Sequence, residues 1–281
     1  MRFRLPSALL ALALLAGAPR ASAAAPAPAL PPDEDSARAA LDASPRHGEL
    51  IDVPMPEGGA PIRTWIVYPE RKDRAGVVVV IHEIYGLSDW IRGVADRLAA
   101  DGFIAVAPDL VSGLGPGGGG TDSAASRDDV VKLVRGLTPD MTRARLDAVT
   151  DWATKLPAAN GRAATIGFCW GGSRSFEYAA SRKDLAAAVV YYGGSPDSAT
   201  LAAVRAPVAG FYGGDDARVN ATIEPARAAL ARLKRPYEVH VYDGAGHGFL
   251  RQQQGREGAN LAASRKAWPR TLEVLRKALG K

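Results

Sequence analysis

The stretch Ala164-Thr165-Ile166-Gly167-Phe168-Cys169-Trp170-Gly171-Gly172 (ATIGFCWGG) is an apolar run that ends in a glycine-flanked cysteine. Ala164 to Phe168 reads as a strand and Gly171 to Ser181 as a helix, so Cys169 falls on the sharp turn between them. Gly167 and Gly171 let flanking backbones pass close to a strained turn that lifts the side chain above the sheet. The helix starting there aims free N–H groups and a positive dipole end at the sulfur, which favours a thiolate and a nearby oxyanion. The spacing is that of G-x-S-x-G with cysteine in place of serine.

On both sides of this turn, apolar strands alternate with helices. Val77 to Ile81 (VVVVI) is a continuous β-branched run, as expected of a strand buried on both faces. Asp89 to Ala100 has helical spacing, with Ile91, Val94 and Leu98 on one face. Phe103 to Ala107, Ala186 to Tyr192, Pro207 to Tyr212 and Tyr237 to Tyr242 read as further strands. Thr142 to Leu156, Glu224 to Leu233 and Asn260 to Leu279 read as helices. Ile51 to Pro54 and Ile62 to Tyr68 form two early strands. Such alternation predicts an α/β fold with a mostly parallel central sheet and helices on both faces. Val111 to Asp128, rich in glycine from Gly113 to Gly120, breaks the rhythm and reads as a surface loop or a mobile flap.

The N-terminus is of a different kind. Arg2 and Arg4 precede a short apolar run, Leu9 to Ala16 (LLALALLA), and Ala21-Ser22-Ala23 offers small residues for cleavage. Residues 1–23 read as a secretory signal peptide, too short in its apolar part to span a bilayer. The mature protein is expected to be exported, periplasmic or secreted, and not inserted in the membrane. Residues 24–48, rich in Ala and Pro, read as a flexible tail, and 49–281 as one folded domain. Without Arg2, Arg4 and Arg20 the net charge of +5 falls to +2, too balanced for nucleic-acid binding. A monomer is expected. The chain has one cysteine, so an exported form makes no internal disulfide, and an exposed thiol there needs a reason.

Downstream residues supply that reason. Phe211-Tyr212-Gly213-Gly214-Asp215-Asp216 ends a strand, and Tyr242-Asp243-Gly244-Ala245-Gly246-His247-Gly248-Phe249 leaves the next. Nucleophile, acid and histidine thus follow in the chain order of the α/β-hydrolase fold. His247 would take the thiol proton while an acid fixes its tautomer. Asp215 or Asp216 can be that acid, and Asp243 lies near enough to cap a turn beside the base. His240 sits inside a strand, His47 in the tail, and His82 borders the site after a buried strand. No cluster has metal-ligand spacing, so neither metal nor cofactor is expected.

Four motifs in order resemble the dienelactone hydrolase family over residues 49–279: Ile81-His82-Glu83-Ile84-Tyr85-Gly86, Gly167 to Gly172, Gly213 to Val219, and Ala245 to Phe249. The resemblance implies that Asp216 is the catalytic acid. It puts the oxyanion-loop glutamate at Glu83 and the oxyanion donors at the backbone N–H groups of Ile84 and Trp170. Arg251 matches a position that binds a substrate carboxylate, and Tyr85 lines the substrate site. A second such arginine has no clear place; Arg135 and Arg143 lie in the diverged segment. Glu83 beside the thiol would disfavour the thiolate and keep resting Cys169 protonated until substrate displaces the carboxylate. The expected reaction is hydrolysis of a small ester or lactone through a cysteine acyl-enzyme. Alternatives are a broad carboxylesterase or thioesterase, or a catalytically silent ligand-binding relative.

Overall fold

The computed structural model describes residues 28–280. The leader expected over residues 1–23 lies outside them. Strands β1 (Gly48–Val53), β2 (Ile62–Val67) and β3 (Ala75–Ile81) follow a short helix α1 (Ala37–Asp42). Then come α2 (Asp89–Ala100), β4 (Ile104–Pro108), α3 (Arg127–Arg135), α4 (Pro139–Thr154), β5 (Ala159–Phe168) and α5 (Trp170–Ser181). The chain continues through β6 (Ala188–Tyr191), α6 (Ser198–Ala203), β7 (Val208–Gly213), α7 (Ala217–Asn220), α8 (Ile223–Arg232), β8 (Tyr237–Tyr242) and α9 (Ala259–Leu279).

The strands form one sheet in the order β1-β2-β4-β3-β5-β6-β7-β8. β2 pairs antiparallel with β1 and β4, and the other neighbours are parallel. β3 explains the layering. Val77, Val79 and Ile81 point to one face, where Val134 of α3, Val149 of α4, Phe176 of α5 and Leu230 of α8 close over them. Val78 and Val80 point to the other, against Ile91 and Leu98 of α2 and Trp268 and Leu272 of α9. Period-two alternation with both faces covered accounts for the unbroken apolar run. The fold is the α/β-hydrolase fold anticipated from the motif order.

Most expected elements are present, and their ends show where local chemistry decided. α2 has its expected bounds, with Ser88 capping through a side-chain oxygen that accepts from Ile91 N. α4 starts earlier than expected, at Pro139, behind a Thr138 cap. The glycine-rich stretch is tied down at both ends. Buried Asp109 accepts from Val111 N (3.3 Å), Thr121 N (2.7 Å) and Thr121 Oγ1 (2.8 Å), and Thr121 Oγ1 accepts from Leu87 N (3.1 Å). The stretch forms a loop anchored on Asp109, followed directly by α3, which the sequence reading did not anticipate.

The flexible tail expected up to residue 48 is corrected over its described part. Pro31 is buried, and its carbonyl accepts from Gln253 Nε2 at 2.9 Å. The Pro32 carbonyl accepts from Trp90 Nε1 at 3.0 Å. Arg46 and Ser44 both bind Asp96 of α2, each at 2.7 Å. Prolines suit this role: they hold the chain extended and, lacking an N–H, still offer carbonyl acceptors. Their composition resembles a linker because nothing in it is periodic. Among the described residues no helix is long and apolar enough to cross a membrane.

One glycine shows how tightly the sheet and α5 meet. A Cβ on Gly171 would stand 2.3 Å from the His82 carbonyl oxygen and 2.4 Å from that of Ile81, both backbone atoms that cannot yield. Gly171→Ala is therefore expected to lower the unfolding free energy by about 1–3 kcal/mol. Denaturant titration measures this, and an unchanged midpoint would contradict the packing described.

Candidate active site

Four parallel strands, β3, β5, β7 and β8, end on the same edge of the sheet and supply the candidate residues. Cys169 follows β5 with φ 55° and ψ −116°, a left-handed conformation held by its N–H donating to the Tyr191 carbonyl at 3.0 Å. A non-glycine residue there costs roughly 1–3 kcal/mol and persists only where the surroundings impose it. Here Gly167 and Gly171 impose it: a Cβ on Gly167 would meet Gly171 O at 2.0 Å. The sulfur is partly exposed at the head of α5.

His247 and Asp216 come together as the sequence required. Asp216 Oδ2 accepts from His247 Nδ1 at 2.5 Å, and Asp216 Oδ1 accepts from Val219 N at 3.4 Å, capping α7. Asp215 instead pairs with Arg256 on the surface (3.1 Å), and Asp243 is exposed, so of the three it is Asp216 whose carboxylate reaches His247. Burial works against an imidazolium at His247. Hydrogen bonds to Asp216 and Cys169 and their negative charge prevail, and push it up to about 9. Burial alone would raise the Asp216 carboxyl, but its bond to His247 holds it below the usual range.

Of the two residues expected to give the oxyanion donors, Trp170 is the first residue of α5 and Ile84 lies in the loop after β3. Among the described residues neither backbone N–H finds an acceptor. His82 binds the two parts together. Its Nδ1 donates to the Glu83 carbonyl at 2.6 Å, its Nε2 accepts from Leu110 N at 3.2 Å, and its ring stacks on Trp170 with centroids 5.5 Å apart. This pattern requires the neutral ring, and burial lowers its pKa accordingly.

Glu83 is buried, with Oε2 2.7 Å from Arg251 Nε and Oε1 without a hydrogen-bond partner among the described residues. A buried carboxylate is drawn to the nearest guanidinium, which offsets part of the desolvation cost. Burial still raises its pKa, against the pull of Arg251 and His247.

Arg251 lies at the site as expected, and Tyr85 beside it, with the Arg251 guanidinium 5.4 Å from its ring centroid. Arg135 is exposed at the end of α3, and Arg143 pairs with Asp140 at 3.1 Å. The arginine found beside Tyr85 together with Arg251 is Arg127, on the first turn of α3, stacked 3.5 Å over the Tyr85 ring. Sequence reading missed it because α3 was hidden in the glycine-rich break; the Ser126 cap before Arg127-Asp128-Asp129 was the available signal. It also missed Tyr192, which closes an apolar run. This phenol is fully buried, keeps φ 39°, has no hydroxyl partner among the described residues and meets the His247 ring edge-on at 5.1 Å. Burial raises its pKa far above the usual phenol range, so it stays neutral. His240 is structural, stacked on Phe211 in β8, and His47 is exposed.

Comparison with known proteins places the chain in the dienelactone hydrolase family. The model of the dienelactone hydrolase family matches residues 62–279. A carboxymethylenebutenolidase-named protein from Salmonella typhimurium is 34% identical over 235 residues, covering 78% of this chain and 84% of its own. One of the same name from Escherichia coli K12 is 32% identical over 265 residues, covering 85% and 94%. A Klebsiella pneumoniae crystal structure titled as a dienelactone hydrolase superposes with a TM-score of 0.71 at 27% identity, covering 83% of this chain and 99% of that one.

The raised His247 has a testable consequence. Its proton is retained through neutral pH and lost near pH 9, so ester turnover is expected to fall as pH rises through that value. Its contribution to stability has the same sign, complete below about 6.5 and lost as pH rises through about 9. Asp216→Asn removes the charge that sustains the imidazolium. It should move the falling limb of kcat/KM to lower pH and reduce turnover on the order of 10²- to 10⁴-fold. A limb that stays in place would contradict the assignment of Asp216.

Proposed function

We propose that this chain, which belongs to the dienelactone hydrolase family and is a hydrolase of the carboxymethylenebutenolidase type, cleaves a small ester or lactone through Cys169. The observation that carries this reading is the Asp216–His247 contact at 2.5 Å beside a cysteine held at positive φ. Through neutral pH the proton of the Cys169–His247 pair rests on the imidazole, and the sulfur attacks the ester carbonyl. The N–H groups of Ile84 and Trp170 receive the charge that develops on the carbonyl oxygen. As the tetrahedral adduct collapses, His247 gives its proton to the leaving alkoxide and a thioester to Cys169 remains. His247 then accepts a proton from water, the resulting hydroxide attacks the thioester, and collapse releases the carboxylic acid and frees the sulfur, with the proton again on His247. Asp216 stays ionised throughout and holds the ring in the productive tautomer.

A panel of dienelactone, 4-nitrophenyl acetate and acyl thioesters tests the reaction. The wild-type protein should turn over at least one, with an acylated Cys169 detectable by mass spectrometry after a rapid acid quench. Cys169→Ala should lose both activity and adduct, by about 10³-fold or more in rate. Undiminished activity in Cys169→Ala would refute the cysteine mechanism.

In this reading the enzyme works as an exported monomer. The basic, apolar and small-residue sequence of positions 1–23 supports export. Intact-mass measurement of protein recovered from an expressing bacterium should give a chain starting after Ala23, eluting at monomer size. A full-length chain confined to the cytosol would refute export.

A further inference from the structure

The arginines beside Tyr85 are already engaged by a carboxylate from the distant N-terminal segment. Glu34 Oε1 lies 2.8 Å from Arg127 Nη2, and Glu34 Oε2 is in close contact with Arg251 Nη1. The Glu34 backbone N–H also donates to the Arg251 carbonyl at 2.9 Å. Neighbouring residues fix the segment: Asp33 Oδ2 accepts from Gln253 N at 2.7 Å, beside the Pro31 and Pro32 contacts described above. Pro32 fits against α2 only because residue 93 is glycine; a Cβ there would meet Pro32 Cγ at 2.7 Å.

Charge decides what this arrangement admits. Two guanidiniums, Arg127 and Arg251, face two carboxylates, Glu34 and Glu83. Arg251 keeps only 10% of its side chain exposed and Glu83 3%, whereas Glu34 keeps 32%, so Glu34 closes the cluster on its solvent side. A substrate carboxylate arriving there finds both guanidiniums compensated and would add an unpaired negative charge beside the buried Arg251–Glu83 pair. A neutral substrate pays no such penalty. We infer that Glu34 is a specificity-determining residue, an internal carboxylate that fills the arginine pair beside the active site and restricts the enzyme to esters or lactones without a negative charge near the reacting carbonyl.

The inference rests on the ester-hydrolase reading of the same site. Two substrates separate the cases: 4-nitrophenyl butanoate and the 4-nitrophenyl half-ester of glutaric acid, which differ by one terminal carboxylate. Wild type should favour the butanoate. Glu34→Gln, close to isosteric, should raise the ratio of kcat/KM for the half-ester over the butanoate by about ten- to a hundredfold, mostly through KM, as a charge-assisted pair with arginine becomes available. Gly93→Leu, which levers Pro32 off α2 far from the chemistry, should shift the ratio the same way. A wild type that prefers the half-ester, or a ratio unmoved in both variants, overturns the inference. If no form of the protein hydrolyses either ester, the hydrolase reading fails, and added glutarate decides the rest. Glutarate should raise the Tm of Glu34→Gln and leave wild type unmoved; equal shifts, or none, overturn the inference.

Discussion

The backbone at Cys169 is the constraint on which the site depends. A cysteine at φ 55° is unfavourable in isolation, and only the crowding of β5, α5 and the β3 loop holds it there. Gly167 against Gly171, and Gly171 against the carbonyls of Ile81 and His82, leave no room for another path. The same crowding joins Cys169 to Trp170 and to the loop that carries Ile84. The carbonyl that touches Gly171 belongs to His82, whose ring stacks on Trp170 and whose Nδ1 fixes the loop carrying Ile84. Turn, helix and oxyanion loop thus form one rigid unit, and its strain is compensated by the buried sheet around it.

Electrostatics then divides the acids by depth. Asp216 reaches the imidazole and stays ionised; Asp215, its neighbour in sequence, faces outward to Arg256. Glu83 is buried and drawn to Arg251, and Arg251 in turn is met from the solvent side by Glu34. Each of these carboxylates has a cationic partner, and the Cys169 sulfur bonds to His247.

Much of this was legible in the sequence because the signals were local and periodic. The β-branched run at Val77 to Ile81, the spacing of Ile91, Val94 and Leu98, and the glycine-flanked turn at Cys169 each follow from short-range sterics. The order of Cys169, Asp216 and His247 followed from strand–helix alternation. What stayed hidden depended on contacts without a period. Arg127 reaches Tyr85 only because α3 begins beside a loop anchored on Asp109. Glu34 sits in an Ala/Pro-rich stretch whose docking depends on single carbonyls and one missing Cβ. Asp215 and Asp216 could be told apart only through the resemblance or the folded loop. The side-chain direction of Glu83 was set by Arg251, a competition that motif matching does not weigh.

The docked N-terminal segment also bears on the order in which the molecule is completed. Its contacts join residues separated by 217, 220 and 222 positions in the chain. Loop closure over such distances comes late in folding, and chains are synthesised from the N-terminus. Residues 31–34 therefore leave the ribosome long before their partners, Arg251 and Gln253, have been made and set beside β8. The arginine pair beside Tyr85 is closed by an early part of the chain only after a late part has arrived. Until then Arg251 and Arg127 lack their outer carboxylate, and the nascent protein presents a more cationic entrance than the finished one.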